Sequence, residues 1–161
     1  TDDEMYAPKV LLESTLDTSD IIDEILRARK DYKGSGSPAF YASVDLITDM
    51  MLMKDGMGRR MYGTEAELAS ALRVSKIVEI PLMDEVTRET DDMVPVTYKL
   101  LGIMVNLKDY AMGADKGGQV SMFDDFDIDY NQYKYLMEVR CSGALTKPAS
   151  ALVFEQEVAG S

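Results

Sequence analysis

A chain of 161 residues, 46% apolar and 29% charged, is sized and composed for one folded region with a sizeable core. Its net charge is −12, with acid in excess in every third of the sequence, so no clustered Lys and Arg is present to neutralise phosphates and direct nucleic-acid binding is not expected. The absence of histidine removes the usual zinc sites and the Ser-His-Asp and Cys-His nucleophile systems, leaving only Asp, Glu, Lys, Tyr or backbone chemistry.

A single cysteine, Cys141, excludes an internal disulfide. Without an 18-residue apolar run or a signal-peptide pattern, an intracellular origin and no membrane partner are expected. Thr1-Asp2-Asp3-Glu4 lacks an initiator Met and reads as the front of a fragment or of a processed chain.

Lys9 to Leu12 is a short apolar run and reads as an extended segment. Asp17-Thr18-Ser19-Asp20 supplies N-caps ahead of Ile21, Ile22, Ile25 and Leu26, which share one helical face. Acids in the first turns and Arg27, Arg29 and Lys30 in the last suit the helix dipole. Gly34-Ser35-Gly36-Ser37-Pro38 stops this helix. Gly34, Gly36 and Ala39 satisfy G-x-G-x-x-A, but the run follows a helix and enters Pro38, where a dinucleotide fingerprint must follow a strand and open a helix.

Ser43 or Asp45 starts a second helix through Leu46, Ile47, Met50, Met51 and Met53, its Met-rich face being either core or an adaptable binding surface. Arg59-Arg60 is a phosphate-binding pair, an exposed turn or a subunit salt bridge. Thr64 caps a third helix, Glu65 to Leu72, with Glu67 completing a capping box. Ile77 to Ile80 is a strand ended by Pro81, and Met83 to Met93 reads as an acidic surface loop. Leu100 to Val105 reads as a strand buried on both faces. Asp109-Tyr110 and residues 113–118 are turn chemistry, and Gln119 to Phe123 is another strand.

Asp124, Asp125, Asp127 and Asp129 form an acidic cluster. Asp125, Asp127 and Asp129 fit the first three ligands of a calcium loop, but Tyr130 stands where its glycine belongs and Leu136 where its bidentate Glu belongs. Paired carboxylates for glycoside hydrolysis are a second reading, without Trp to supply a sugar platform. A solvated edge or an intersubunit contact is the third. From Tyr133 to Cys141 the odd positions are apolar, which predicts a long strand with one buried face and a buried Cys141 thiol. Ser142-Gly143 breaks it, and Ala151 to Phe154 follows as a second strand joined through a turn or bulge.

In order and spacing these stretches resemble the C-terminal half of a tailed-bacteriophage major capsid protein of the Hong Kong 97 type. The resemblance covers roughly residues 20–155. It is carried by Gly34-Ser35-Gly36-Ser37-Pro38 before an aromatic; Leu52-Met53-Lys54-Asp55 leading to Gly58-Arg59-Arg60-Met61-Tyr62; and Ala71-Leu72-Arg73-Val74 before the strand ending at Pro81. It continues through Leu101-Gly102-Ile103-Met104-Val105-Asn106 with Asp109-Tyr110, and through Phe123-Asp124-Asp125-Phe126 to Glu138-Val139-Arg140-Cys141-Ser142-Gly143-Ala144-Leu145 with Pro148-Ala149.

The resemblance implies an α+β fold, a central mixed or antiparallel sheet flanked by about three short helices. Roughly 18–140 is expected as an axial domain and roughly 1–17 with 141–161 as peripheral-domain segments, the N-terminal arm, extended loop and spine helix lying outside the chain. It implies a structural virion protein, not an enzyme, that self-assembles into pentamers and hexamers of an icosahedral shell around phage DNA. Scaffolding, protease and portal proteins are its assembly partners, in the cytoplasm of a bacterial host, and no cofactor or metal is implied. An encapsulin-like shell shares the expected fold, and a divalent-metal enzyme on Asp124, Asp125, Asp127 and Asp129 is the rival class. Arg59, Arg60, Arg73 and Arg88, from the less acidic middle third, with Asp124 and Asp125, are the candidate intersubunit contacts.

Overall fold

The Asp17 carboxylate accepts from Asp20 N at 2.9 Å and opens helix α1 (Thr18–Ala28), whose Ile21, Ile22, Ile25 and Ala28 are buried. Helix α2 (Val44–Leu52) starts in the same way, Ser43 Oγ accepting from Leu46 N at 3.3 Å. It buries Leu46, Ile47 and Met50, so core is the use its methionine face serves. In helix α3 (Glu65–Ala71) Thr64 Oγ1 accepts from Glu67 N at 3.3 Å. The return bond of the expected capping box falls one residue early, Gly63 N donating to Glu67 Oε2 at 2.7 Å.

This computed structural model describes residues 5–90, 94–114, 121–127, 132–138 and 140–158. Its strands are β1 (Lys9–Leu12), β2 (Ala39–Ala42), β3 (Ile77–Glu79), β4 (Thr87–Glu89), β5 (Thr97–Val105), β6 (Tyr110–Ala114), β7 (Ser121–Asp127), β8 (Gln132–Glu138), β9 (Cys141–Leu145) and β10 (Ala151–Glu157). The main sheet runs β1-β10-β5-β2-β3, with β4 also on β5. β1 lies parallel to β10 and β2 parallel to β3, while β5 is antiparallel to β10, β2 and β4, so the sheet is mixed as expected.

The nine-residue β5 is the axis of this sheet. Along one edge it pairs with β10, and along the other it carries β4 on Thr97–Lys99 and β2 on Gly102–Val105. The register with β10 jumps from Phe154↔Gly102 to Glu155↔Leu100, leaving Leu101 as the extra residue of a bulge. The carbonyl of Leu101 accepts Ser43 N at 2.9 Å, so the bulge seats the cap of α2. The three helices pack on one face of the sheet, against Leu12, Phe40, Met104, Leu152 and Phe154. Phe40 and Phe154 meet edge to face at 5.9 Å over Gly102.

The chain divides into two units, Thr1–Asp109 with Leu145–Ser161, and Tyr110–Ala144. This division does not coincide with the expected boundaries near 17 and 140, because β1 and β10 belong to the same sheet as β5 and β2. The second unit contains the two-stranded ribbons β6–β9 and β7–β8. The expected buried face of the 133–141 stretch is open instead: Tyr133 and Tyr135 are 65% and 64% exposed, and the Cys141 thiol is exposed as well. Ribbons two strands wide have too little apolar area to bury a face. Nor is that stretch one strand, since β8 ends at Glu138, Val139 lies outside the described residues, and β9 pairs with β6 and not with β10.

Two more expectations change. The stretch read as a loop from Met83 holds a 3₁₀ turn, Pro81–Glu85, with Met83 buried, and then β4; Asp91 to Met93 lie outside the described residues. β2 is too short to cover β5, and the N-terminal end of β5 that it leaves open takes the polar Thr87–Glu89 as a strand that no hydrophobic pattern announces. β7, expected to end at Phe123, runs on through Asp127; Gln119 and Val120 lie outside the described residues.

Gly102 is the tightest position in the core. A Cβ there would fall 2.8 Å from both Phe40 Cε2 and the Tyr41 carbonyl oxygen. Gly102→Ala is expected to cost about 1–3 kcal/mol by overpacking, read as a lower urea midpoint with an unchanged slope.

Candidate functional site: a buried carboxylate junction

Three connections meet at one end of the main sheet: residues 33–38 before β2, 106–109 after β5 and 145–150 before β10. They meet there because Ala39, Val105 and Ala151 are neighbours in register. At their centre stands Asp109, 1% exposed, at the last residue of the 3₁₀ turn Leu107–Asp109.

Its carboxylate is satisfied by three donors. Ser35 N reaches Oδ2 at 2.5 Å, and Ser35 Oγ and Lys147 Nζ reach Oδ1 at 2.7 and 3.0 Å. Its carbonyl accepts Thr146 N at 2.8 Å and Thr146 Oγ1 at 3.0 Å. Asn106 closes the third side, its Nδ2 donating to the Ser35 carbonyl at 2.6 Å and its Oδ1 accepting Lys108 N at 3.1 Å. The Gly-Ser-Gly run therefore serves as a receiving loop. A Cβ on Gly34 would collide with the Tyr32 hydroxyl and sit 2.9 Å from Asp109 Oδ2, and Gly36 takes a left-handed φ of 58°.

The Ser35 amide, the Ser35 hydroxyl and the Lys147 ammonium together hold the Asp109 carboxyl down to about 2. Burial, with the Asp109 charge behind it, pushes the nearby Tyr32 phenol up. Ser35 and Lys147 touch, as a serine nucleophile and its base would. The same lysine, however, pairs with Asp109, and the Ser35 hydroxyl is committed to the same carboxylate, so the two are not set aside for each other. The cluster is arranged to hold three chain segments together.

None of the four candidate arginines belongs to this junction. Arg59 donates Nε to Asp55 Oδ2 at 3.0 Å, and Arg60 donates Nη1 to the Met51 carbonyl at 2.9 Å. Arg73 is exposed just past α3 in a left-handed conformation, φ 56°, within a Schellman turn closed by Val74 N to Ala69 O at 3.0 Å. Arg88 ties β4 to β10 through Glu155 Oε2 at 2.5 Å and lies 5.3 Å over the Tyr98 ring; Glu155 is 7% exposed, so this arginine is engaged within its own chain.

Asp124 is exposed on β7 and pairs in register with Tyr135. Asp125 pairs with Lys134 and Asp127 with Gln132, so these positions form a β ladder, not the coiled start of a calcium loop; Asp129 lies outside the described residues. Sequence reading passed over Asp109, Ser35 and Lys147 as chemistry, since the three stand far apart in the chain. Only the Gly-Ser-Gly-Ser-Pro and Asp-Tyr stretches, noted for their resemblance, marked the place.

Neither a family profile nor a curated protein matches the sequence. Solved structures do share the fold. The chain matches the capsid of an empty GTA particle with a TM-score of 0.60 at 13% identity, over 94% of this chain and 50% of that one. It matches a chain from Gordonia phage Cozz with a TM-score of 0.54 at 17% identity, over 95% and 50%. A phage-related protein from Bordetella bronchiseptica RB50 matches with a TM-score of 0.54 at 15% identity, over 95% and 57%. The fold is thus the α+β capsid fold that the sequence resembles, and the chain spans about half the length of these structures.

Two measurements follow from this geometry. A carboxyl whose folded value is lowered from 3.8 to about 2 contributes stability that is complete above the unfolded value and lost as pH falls toward the folded one. Asp109→Asn is therefore expected to melt below the wild type at neutral pH, with the gap in Tm closing between pH 4 and 2. Arg73→Gly removes a strained left-handed side chain and is expected to raise stability by about 1 kcal/mol in urea unfolding.

Proposed function

We propose that this chain is the shell-building part of a major capsid subunit of the Hong Kong 97 type, assembling with copies of itself into pentamers and hexamers of a closed shell around phage DNA. The observation that carries this reading is the fold shared along 94% of the chain with the capsid of a GTA particle. Matches to Gordonia and Mycobacterium phage structures favour a virion over an encapsulin-like compartment. The larger unit is assigned to the axial lobe and the 110–144 unit to the peripheral one, which respects the continuity of the main sheet.

The role is architectural and not catalytic, a reading supported by a polar cluster whose groups are committed to one another and by a sequence without histidine. Among the described residues no helix is long and apolar enough to cross a membrane. Self-association in a virion shell is the main partnership; scaffolding, protease and portal proteins, and assembly in a host cytoplasm, belong to the same proposal.

Light scattering of the chain over a range of concentrations, with and without millimolar divalent metal, tests it. Rings or larger closed species that are indifferent to metal are expected. A monomer at every concentration would overturn the reading for this chain, and tight metal binding with a rise in Tm would favour the metal-dependent enzyme.

A further inference from the structure

Between Met53 and Met61 the chain reverses in a finger that its own hydrogen bonds order, with little help from burial. Asp55 N donates to Arg59 O at 2.8 Å, Gly58 N to Asp55 O at 2.9 Å and Met61 N to Met53 O at 3.0 Å. The Asp55 carboxylate accepts the amides of Met57 and Arg59, both at 2.9 Å, as well as Arg59 Nε. Gly58, φ 79°, turns the tip.

This scaffold displays groups that a lone subunit does not need there. Met57 is 83% exposed at the tip, and Leu52 and Met61 are exposed at the base. Neither Lys54 nor Arg60 has an ion-pair partner among the described residues, and Arg60 spends one donor on the neutral Met51 carbonyl. In a chain of net charge −12 this is a basic, apolar-tipped and pre-ordered element.

Its complement lies at the other end of α2, a helix of nine residues and so about 13 Å long. A groove there has Ile21, Leu46 and Leu101 as its apolar floor and Asp45 and Asp49 on its rim. Lys99 reaches Asp45 at 3.4 Å but is shared with Asp84 at 3.7 Å, while Asp49 has no ion-pair partner among the described residues, so the rim keeps an acidic excess.

We propose that the finger of one copy docks in this groove of a second copy, with Met57 against the apolar floor and Lys54 and Arg60 facing Asp49 and Asp45. The proposal deepens the capsid reading and rests on it. Finger and groove are different patches of one surface, so the contact is head-to-tail. Repeated, it closes a ring when the rotation per subunit divides the circle. A finger that is ordered before it docks loses little further entropy on binding.

Sedimentation velocity on the 161-residue chain tests the pairing. K54E/R60E leaves the Asp55–Arg59 contacts that shape the finger in place, D45K/D49K reverses the rim and gives up the Lys99–Asp45 ion pair, and thermal melts check that each variant is folded. Each is expected to weaken self-association by about tenfold or more, while an equimolar mixture, or the variant carrying all four changes, recovers it. Met57→Asp is expected to weaken it with no rescue. If the wild type associates and the charge variants associate equally well, or the mixture gives no recovery, the docking inference is overturned while the capsid reading stands. A wild type that stays monomeric throughout overturns both.

Discussion

A carboxylate taken out of water stays ionised only where donors replace the water it has lost, and Asp109 is given three on its side chain. That requirement organises one whole end of the sheet. The receiving loop must lack a side chain at Gly34 so that the carboxylate can approach. Ser35 must present its amide and its hydroxyl together, and Lys147 must return from a segment 38 residues later in the chain. The Asp109 carbonyl holds Thr146 as well, so the residue from which the chain leaves for 110–144 also holds the residue to which it returns. An excursion of that length can vary in sequence and shape while its two roots stay fixed.

Acidity is the second constraint, and the molecule meets it locally. Glu155, nearly buried in β10, is matched by Arg88 from β4 across β5, a pair that also pins the short fourth strand to the sheet. Asp55 is matched by Arg59 within a single turn. Such pairing uses two of the four arginines singled out from the sequence, while Arg60 and Arg73, both exposed, have no ion-pair partner among the described residues. Where acid outnumbers base so heavily, an unbalanced cation on the surface is the rarer feature and the more informative one.

The helices were readable because their signals are local: Asp17, Ser43 and Thr64 each cap the helix that their spacing announces. β5 was readable as an apolar run, and Gly102 with it as part of a compact core strand. What stayed hidden depends on partners distant in the chain. Thr87–Glu89 is polar and becomes a strand only because β5 has an unfilled edge. Tyr133, Tyr135 and Cys141 alternate like a buried face but stand in ribbons without enough area to bury one. Asp109 looked like turn chemistry because nothing beside it foretells a serine 74 positions earlier or a lysine on the returning segment. Periodicity reports which face of an element is apolar, and says nothing of whether another layer will arrive to cover it.

The parallel pairing of β1 with β10 has a consequence for the order in which the fold is made. Lys9 finds its register partner at Val153, and Leu12 at Gln156, with β10 itself joined to β5. During synthesis the first strand of this sheet therefore waits, with Leu12 uncovered, until β10 has left the ribosome. A nascent chain can form its helices and the β2–β3 and β2–β5 pairings early, yet it cannot seal this edge. Sealing this edge therefore brings together strands from opposite ends of the described sequence, and the sheet is finished only when both are present.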